Sequence, residues 1–143
     1  MKILVLNGPN MNMLGIRQPE IYGKATYADL VEMIEQEAEK LGVSVSFFQS
    51  NHEGALVDAI QQAYFDKVDC IIINPAAYTH TSVALLDAVK AVGIPTVEVH
   101  VSDPDGREEF RHVSYIRAAC CRTIKGKGLP GYLEALRYLA DQK

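Results

Sequence analysis

Two places in this chain pair a proton carrier with a charged neighbour. The first is Arg17-Gln18-Pro19-Glu20-Ile21-Tyr22-Gly23, set in a long stretch, about Met11 to Lys24, that has neither strand nor helix period. A tyrosine ordinarily ionises near a pH of about 10, so it removes protons near neutrality only beside a cation. Lowering its pKa by roughly 3 units means favouring the phenolate by about 4 kcal/mol, which one close guanidinium in a partly dry site supplies. The plain alternative is an arginine and a tyrosine of an ordinary loop. The second place is Thr96-Val97-Glu98-Val99-His100, where a period of two puts Glu98 and His100 on one face at the end of a strand. A carboxylate beside an imidazole orients the ring and raises its pKa, making it a proton donor near pH 7. A structural ion pair in a valine-rich strand accounts for the same two residues.

Two further segments carry polar groups suited to an anion. Asn74-Pro75-Ala76-Ala77-Tyr78-Thr79-His80-Thr81-Ser82 leaves a strand and enters a helix, and its hydroxyls can cap that helix or leave backbone N–H groups for an anion. Capping explains the threonines but neither Asn74 at the strand end nor His80. The run from His100 to Arg111 brings Arg107 and Arg111 near the same strand end, where bidentate guanidinium contacts suit a carboxylate; pairing with Glu108 and Glu109 is the alternative. Asp103-Pro104-Asp105-Gly106 lacks the later ligands of a calcium loop, and the spacings of zinc ligands are missing, so no metal is expected. Gly126-Lys127-Gly128-Leu129-Pro130-Gly131 matches G-x-G-x-x-G, but only twelve residues follow it, too few for a nucleotide-binding unit, and it reads as a glycine turn before a helix. A phosphate loop and a nucleophile elbow are both absent.

These groups are positioned by alternating strand and helix patterns. Apolar runs at Ile3 to Leu6, Val43 to Phe48, Cys70 to Ile73 and Thr96 to Val101, with a weaker one at Ala119 to Ile124, alternate with helical stripes. The first stripe has Leu30, Met33, Ile34, Ala38 and Leu41 between a capping box at Thr26 and Asp29 and a stop at Gly42. Leu56, Ile60 and Ala63 mark the second, about Thr81 to Val92 the third, and about Tyr132 to Ala140 the last. Such alternation predicts an α/β fold, a five-stranded parallel sheet doubly wound by helices in one domain over residues 1–143, with its ligand crevice outside the carboxyl ends of the strands. The 143 residues suffice for a core without staples, and Cys70, Cys120 and Cys121 are expected as reduced, buried thiols of a cytoplasmic protein. With 14 basic against 18 acidic side chains the net charge is −4, which argues against nucleic acid as a partner. No run is long enough to cross a membrane, and the N-terminal apolar run is too short for a signal-peptide core.

Taken together, Leu6-Asn7-Gly8-Pro9-Asn10, the Arg17 to Gly23 segment, Asn74 with Thr79-His80-Thr81-Ser82, Glu98-Val99-His100, and Arg107-Glu108 with Phe110-Arg111 closely resemble type II 3-dehydroquinate dehydratase. The match follows that family's order and spacing over nearly the whole chain. It implies a flavodoxin-like sheet of order 2-1-3-4-5 with helices on both faces, no metal or organic cofactor, and dehydration of 3-dehydroquinate to 3-dehydroshikimate, in aromatic biosynthesis or quinate breakdown. By the resemblance, Tyr22 activated by Arg17 removes the proton alpha to the ketone. Asn10 and Asn74 position Tyr22 and stabilise the enolate through a water, and His100, oriented by Glu98, protonates the departing hydroxyl in an anti elimination without a Schiff base. The substrate carboxylate would sit at Val101 and Ser102, His80 and Arg111 would meet ring hydroxyls, and Arg107 would close with the lid. The family builds trimers and commonly a homododecamer, in which Asp87 reaches a neighbouring subunit's site. Asp103 and Pro104 depart from the family's usual Asn and aliphatic residue, and an added negative charge there is expected to weaken binding of an anion. The rival reading is a flavodoxin-like binding or signalling module whose arginines hold an anion without chemistry.

Overall fold

A computed structural model of the chain describes residues 1–16 and 18–142, with Tyr22 described in its backbone alone. Five strands, β1 (Lys2–Asn7), β2 (Ser44–Gln49), β3 (Cys70–Asn74), β4 (Thr96–His100) and β5 (Arg122–Lys125), form one sheet in the order β2-β1-β3-β4-β5, every pair parallel. Among the described residues five α-helices accompany them: a single turn α1 (Pro19–Tyr22), then α2 (Tyr27–Leu41), α3 (Glu53–Phe65), α4 (Val83–Val92) and α5 (Pro130–Ala140).

Alternation along the strands sends side chains into two cores. Ile3, Val5, Ile72, Val97 and Val99 pack under α2 and α5, while Leu4, Leu6, Ile71 and Ile73 pack under α3 and α4. β1 and β3 are buried on both faces, which is why they read as unbroken apolar runs. On α2, Leu30, Ile34 and Ala38 form the inward stripe, and burying each of the two larger side chains contributes about 1.5–3 kcal/mol; a charge at Ile34 would break that face. The expected capping box is present, with the Asp29 N–H donating to Thr26 Oγ1 at 3.1 Å and the Thr26 N–H to the Asp29 carboxylate at 2.9 Å. Gly42 ends the helix at φ 69°.

Four segments differ most from the sequence reading. Helix α4 starts at Val83, because Ser82 is its cap and accepts the Leu85 N–H at 3.0 Å, while Ala76–His80 forms a 3₁₀ turn. β5 is Arg122–Lys125, because Ile116–Ala119 also forms a 3₁₀ turn and the chain joins the sheet only after it. α5 begins two residues early, with Pro130 at its first position. The long aperiodic stretch contains a 3₁₀ turn at Met11–Met13 as well as α1.

The sheet ends are clasped where the ligand crevice was expected. The Gly8 N–H donates to the Asn74 carbonyl at 2.8 Å. A Cβ on Gly8 would stand 2.4 Å from the Pro75 carbonyl oxygen, so this approach of two backbones admits glycine alone.

Candidate active site

A narrow hollow opens at the carboxyl ends of β3 and β4. Asn74, His80, His100, Ser102, Arg107 and Arg111 line it, together with Val101 and apolar side chains that include Met11 and Pro104. Seven of the residues singled out from sequence therefore share one space, although they come from two separate chain segments.

Behind His100 lies a buried carboxylate. Glu98, fully buried, accepts from His100 Nε2 at 2.5 Å, Ser114 Oγ at 2.7 Å and Arg117 Nη2 at 3.2 Å on one oxygen, and from Arg117 Nε at 2.9 Å and Thr123 Oγ1 at 3.0 Å on the other. Burial alone would push its pKa up, but the bonds from His100, Arg117 and Ser114 hold it down at about 2, so Glu98 is an anion across the working range. Its demand for a proton fixes His100 with Nε2–H toward Glu98 and leaves Nδ1 for the second proton of an imidazolium. Arg117, Ser114 and Thr123 satisfy the carboxylate, and His100 remains on the pocket wall.

His80 is arranged differently. Its Nδ1 lies 2.7 Å from the Val113 carbonyl, so Nδ1 carries the proton and Nε2 is an acceptor for a hydroxyl. Burial lowers the His80 pKa against the pull of Val113, with His100, Arg111 and Arg107 adding to the lowering, which keeps the ring neutral. Arg111 pairs with Glu108 and stacks over the Phe110 ring, its guanidinium carbon 5.0 Å from the centroid. The pairing alternative raised by the sequence is therefore real, yet Arg111 still reaches the pocket.

On the other side, Asn74 donates from Nδ2 to the Tyr132 hydroxyl at 3.0 Å and accepts the Ala76 N–H on Oδ1 at 3.0 Å. Ala76 holds the left-handed region at φ 53°, a costly backbone for a residue with a Cβ, in order to aim that N–H. Asn10 also sits in the left-handed region, at φ 70°, with its N–H bonded to Asn51 Oδ1 at 3.0 Å; it is exposed beside the hollow rather than in its wall. Asp87 is exposed on α4, outside the hollow. Arg17 and the side chain of Tyr22 lie outside the described residues.

The acidic turn after Ser102 is directed away from the site. Asp103 Oδ1 accepts the Asp105 N–H at 3.0 Å, and Lys125 pairs with Asp105 and, at 3.9 Å, with Asp103. The turn's added charge is thus set against a lysine, and of its residues Pro104 alone lines the pocket. The thiols also differ from expectation: all three are free, but Cys121 is exposed and Cys120 half-buried, because the strand that was to bury them starts after them. Burial pushes the Cys120 thiol up to about 12, so it is no nucleophile.

Arg117, Ser114, Thr123 and Tyr132 were not singled out from sequence. Each meets a site residue across 16 to 58 positions of chain, and none stands in a spacing pattern. A charged Glu98 in an apolar strand signals that partners must exist, without saying which.

The fold and this wall of neutral and charged donors define an α/β protein of the doubly wound, flavodoxin-like class with an acid–base site for a small anionic ligand. The family described as Dehydroquinase class II matches residues 1–140. A relative from Caldicellulosiruptor bescii, named 3-dehydroquinate dehydratase, is 56% identical over 98% of this chain and 97% of its own length. Among solved structures, the type II dehydroquinase from Butyrivibrio crossotus superposes with a TM-score of 0.96 at 51% identity, covering 97% of each chain. That from Propionibacterium acnes does so with 0.94 at 43% identity, over 98% of this chain and 96% of its own. The chain belongs to the class II dehydroquinase family.

Proposed function

We propose that the chain, acting as one catalytic domain, converts 3-dehydroquinate to 3-dehydroshikimate, the shikimate-pathway dehydration for which its relatives are named. The observation that carries this reading is the Glu98–His100 pair set in the same wall as Asn74, His80, Ser102 and two arginines. Loss of water from a β-hydroxy ketone needs a base at the α-carbon, stabilisation of the enolate and an acid at the leaving oxygen. Tyr22, with Arg17 lowering its pKa, is the base. Asn74, with Asn10, supports the enolate oxygen through a water. His100, protonated on both nitrogens and anchored by Glu98, gives its Nδ1 proton to the departing hydroxyl. Neutral His80 accepts from a ring hydroxyl, Arg111 binds another, the Val101–Ser102 turn and the Ser102 hydroxyl take the carboxylate, and Arg107 closes over the ring. None of these steps calls for a Schiff base, metal or organic cofactor.

The assembly is read as a trimer-based homododecamer, in which exposed Asp87 serves the site of a neighbouring subunit; light scattering of the purified protein tests this. A cytoplasmic location fits the described residues, in which no helix is long and apolar enough to cross a membrane.

The test is ultraviolet absorbance of the conjugated enone after 3-dehydroquinate is added in the presence of a chelator. Turnover by the unaltered protein that Tyr22→Phe abolishes, with binding of substrate kept, is the expected result. No rise from folded protein would leave an anion-binding module instead.

A further inference from the structure

Asn7 and Asn74 are register partners across β1 and β3, and Tyr132 of α5 sets its hydroxyl between their side chains. Tyr132 is fully buried, with its ring in the apolar core under α5. A phenol there is costly unless its oxygen is satisfied, and it is satisfied twice: Tyr132 Oη lies 2.6 Å from Asn7 Oδ1 and 3.0 Å from Asn74 Nδ2.

Counting protons settles the direction of each bond. The phenol has one proton, and Asn7 presents an oxygen that can only accept, since its Nδ2 is turned to the Tyr27 hydroxyl at 3.4 Å. The proton therefore goes to Asn7, and Tyr132 offers Asn74 a lone pair that only an N–H can fill. The far side of Asn74 imposes the same orientation independently, because the Ala76 N–H is a donor and must meet Oδ1. One amide proton of Asn74 is thus committed to Tyr132. The other points toward Met11 Sδ, 3.5 Å away, a weak acceptor in the wall of the hollow.

We propose that Tyr132 is a positioning residue for the reaction: locked by Asn7, its hydroxyl holds the Asn74 amide so that an N–H, and never the carbonyl oxygen, is presented where the enolate oxygen or its bridging water forms. The thioether of Met11 occupies that N–H only weakly, so a developing oxyanion displaces it at little cost. This rests on the dehydration described above. An Asn74 rotated by half a turn would present an oxygen to an oxyanion, and the same side chain would then oppose the reaction it serves.

The experiment is steady-state turnover of 3-dehydroquinate by full-length protein carrying Tyr132→Phe, Asn74→Ala or both, with urea unfolding of each. Tyr132→Phe, which loosens the donor without removing it, is expected to lower kcat about 10- to 100-fold, short of the roughly 10²- to 10³-fold cost of losing an oxyanion donor outright, with KM within about threefold. In the Asn74→Ala background the same change should cost less than about twofold, because both act through one N–H. Unchanged kcat in Tyr132→Phe, or an equal loss in both backgrounds, would overturn the proposal. Should Tyr132→Phe not fold, Asn7→Ala frees the phenol proton to turn toward Asn74: a several-fold fall in kcat that vanishes beside Asn74→Ala supports it, and unchanged kcat refutes it. Unaltered protein that does not turn over 3-dehydroquinate would instead sink the functional reading, a result separate from any of these.

Discussion

Two buried polar networks stand behind this site, one on each face of the sheet, and they are built from opposite materials. On the face shared with α3 and α4, Glu98 is an anion wrapped by His100, Arg117, Ser114 and Thr123. On the face shared with α2 and α5, Asn7, Tyr132 and Asn74 form a chain with no charge. The chemistry each serves explains the choice. An acid at the leaving oxygen must have its ring held in one orientation, and an anion that stays ionised down to about pH 2 holds the His100 Nε2–H. A donor to an enolate oxygen needs a fixed direction and no titration, so its support is made of amides and a phenol whose pKa burial raises further above 10.0.

The largest effect should follow from removing the group the charged network exists to hold. His100→Ala is expected to lower kcat about 10²- to 10⁴-fold with unfolding still cooperative; a variant that fails to fold would mean the network is structural only. Glu98→Gln keeps the shape but strands the guanidinium of Arg117, which is partly exposed, and should cost about 3 kcal/mol in urea unfolding. It should also change the acid limb. The Glu98 pKa falls from 4.5 to about 2 on folding, so its contribution is complete above about pH 4.5 and is lost as pH falls through about 2. Urea midpoints from about pH 6 to about pH 2 should slope in the unaltered protein and flatten in Glu98→Gln. For the neutral network the sign is reversed: folding raises the Tyr132 pKa, so its contribution is present below pH 10.0 and lost above it. Tyr132→Phe should flatten the alkaline limb and leave the acid limb alone; a changed acid limb would mean the two networks are not independent. The smallest effect belongs to the surface. Lys125→Met, which removes the partner of Asp103 and Asp105, should move the urea midpoint least of all, and that small shift should disappear in high salt.

The charged network was half legible in sequence and the neutral one hardly at all. Glu98 and His100 lie two apart on a strand, so period alone puts them together, and a glutamate among valines announces that it is paired. Arg117 and Ser114 belong to turns whose path no periodicity describes, and Thr123 belongs to a strand that starts later than its apolar run suggests. Asn7 and Asn74 are visible as polar ends of apolar strands. Tyr132, however, looks like any aromatic at the start of an amphipathic helix, and it finds Asn7 at a separation of 125 residues. The strand alternation and the α2 stripe were readable because burial repeats; helix and strand ends were less so, because Ser82, Pro130 and the 3₁₀ turn at Ile116–Ala119 set them by local hydrogen bonds and ring geometry.

That separation also sets a timetable. As the chain leaves the ribosome, β1 to β4 and His100 are available to fold while the residue that aims Asn74 has still to be made, and synthesis proceeds at about 5–20 residues per second. For a few seconds a nascent chain can own its proton donor while Asn74 is held at Oδ1 alone, by the Ala76 N–H, and has no partner yet for the N–H that Tyr132 will take. The site is therefore completed last at its quietest member, and catalysis should appear in step with the docking of α5 rather than with formation of the sheet.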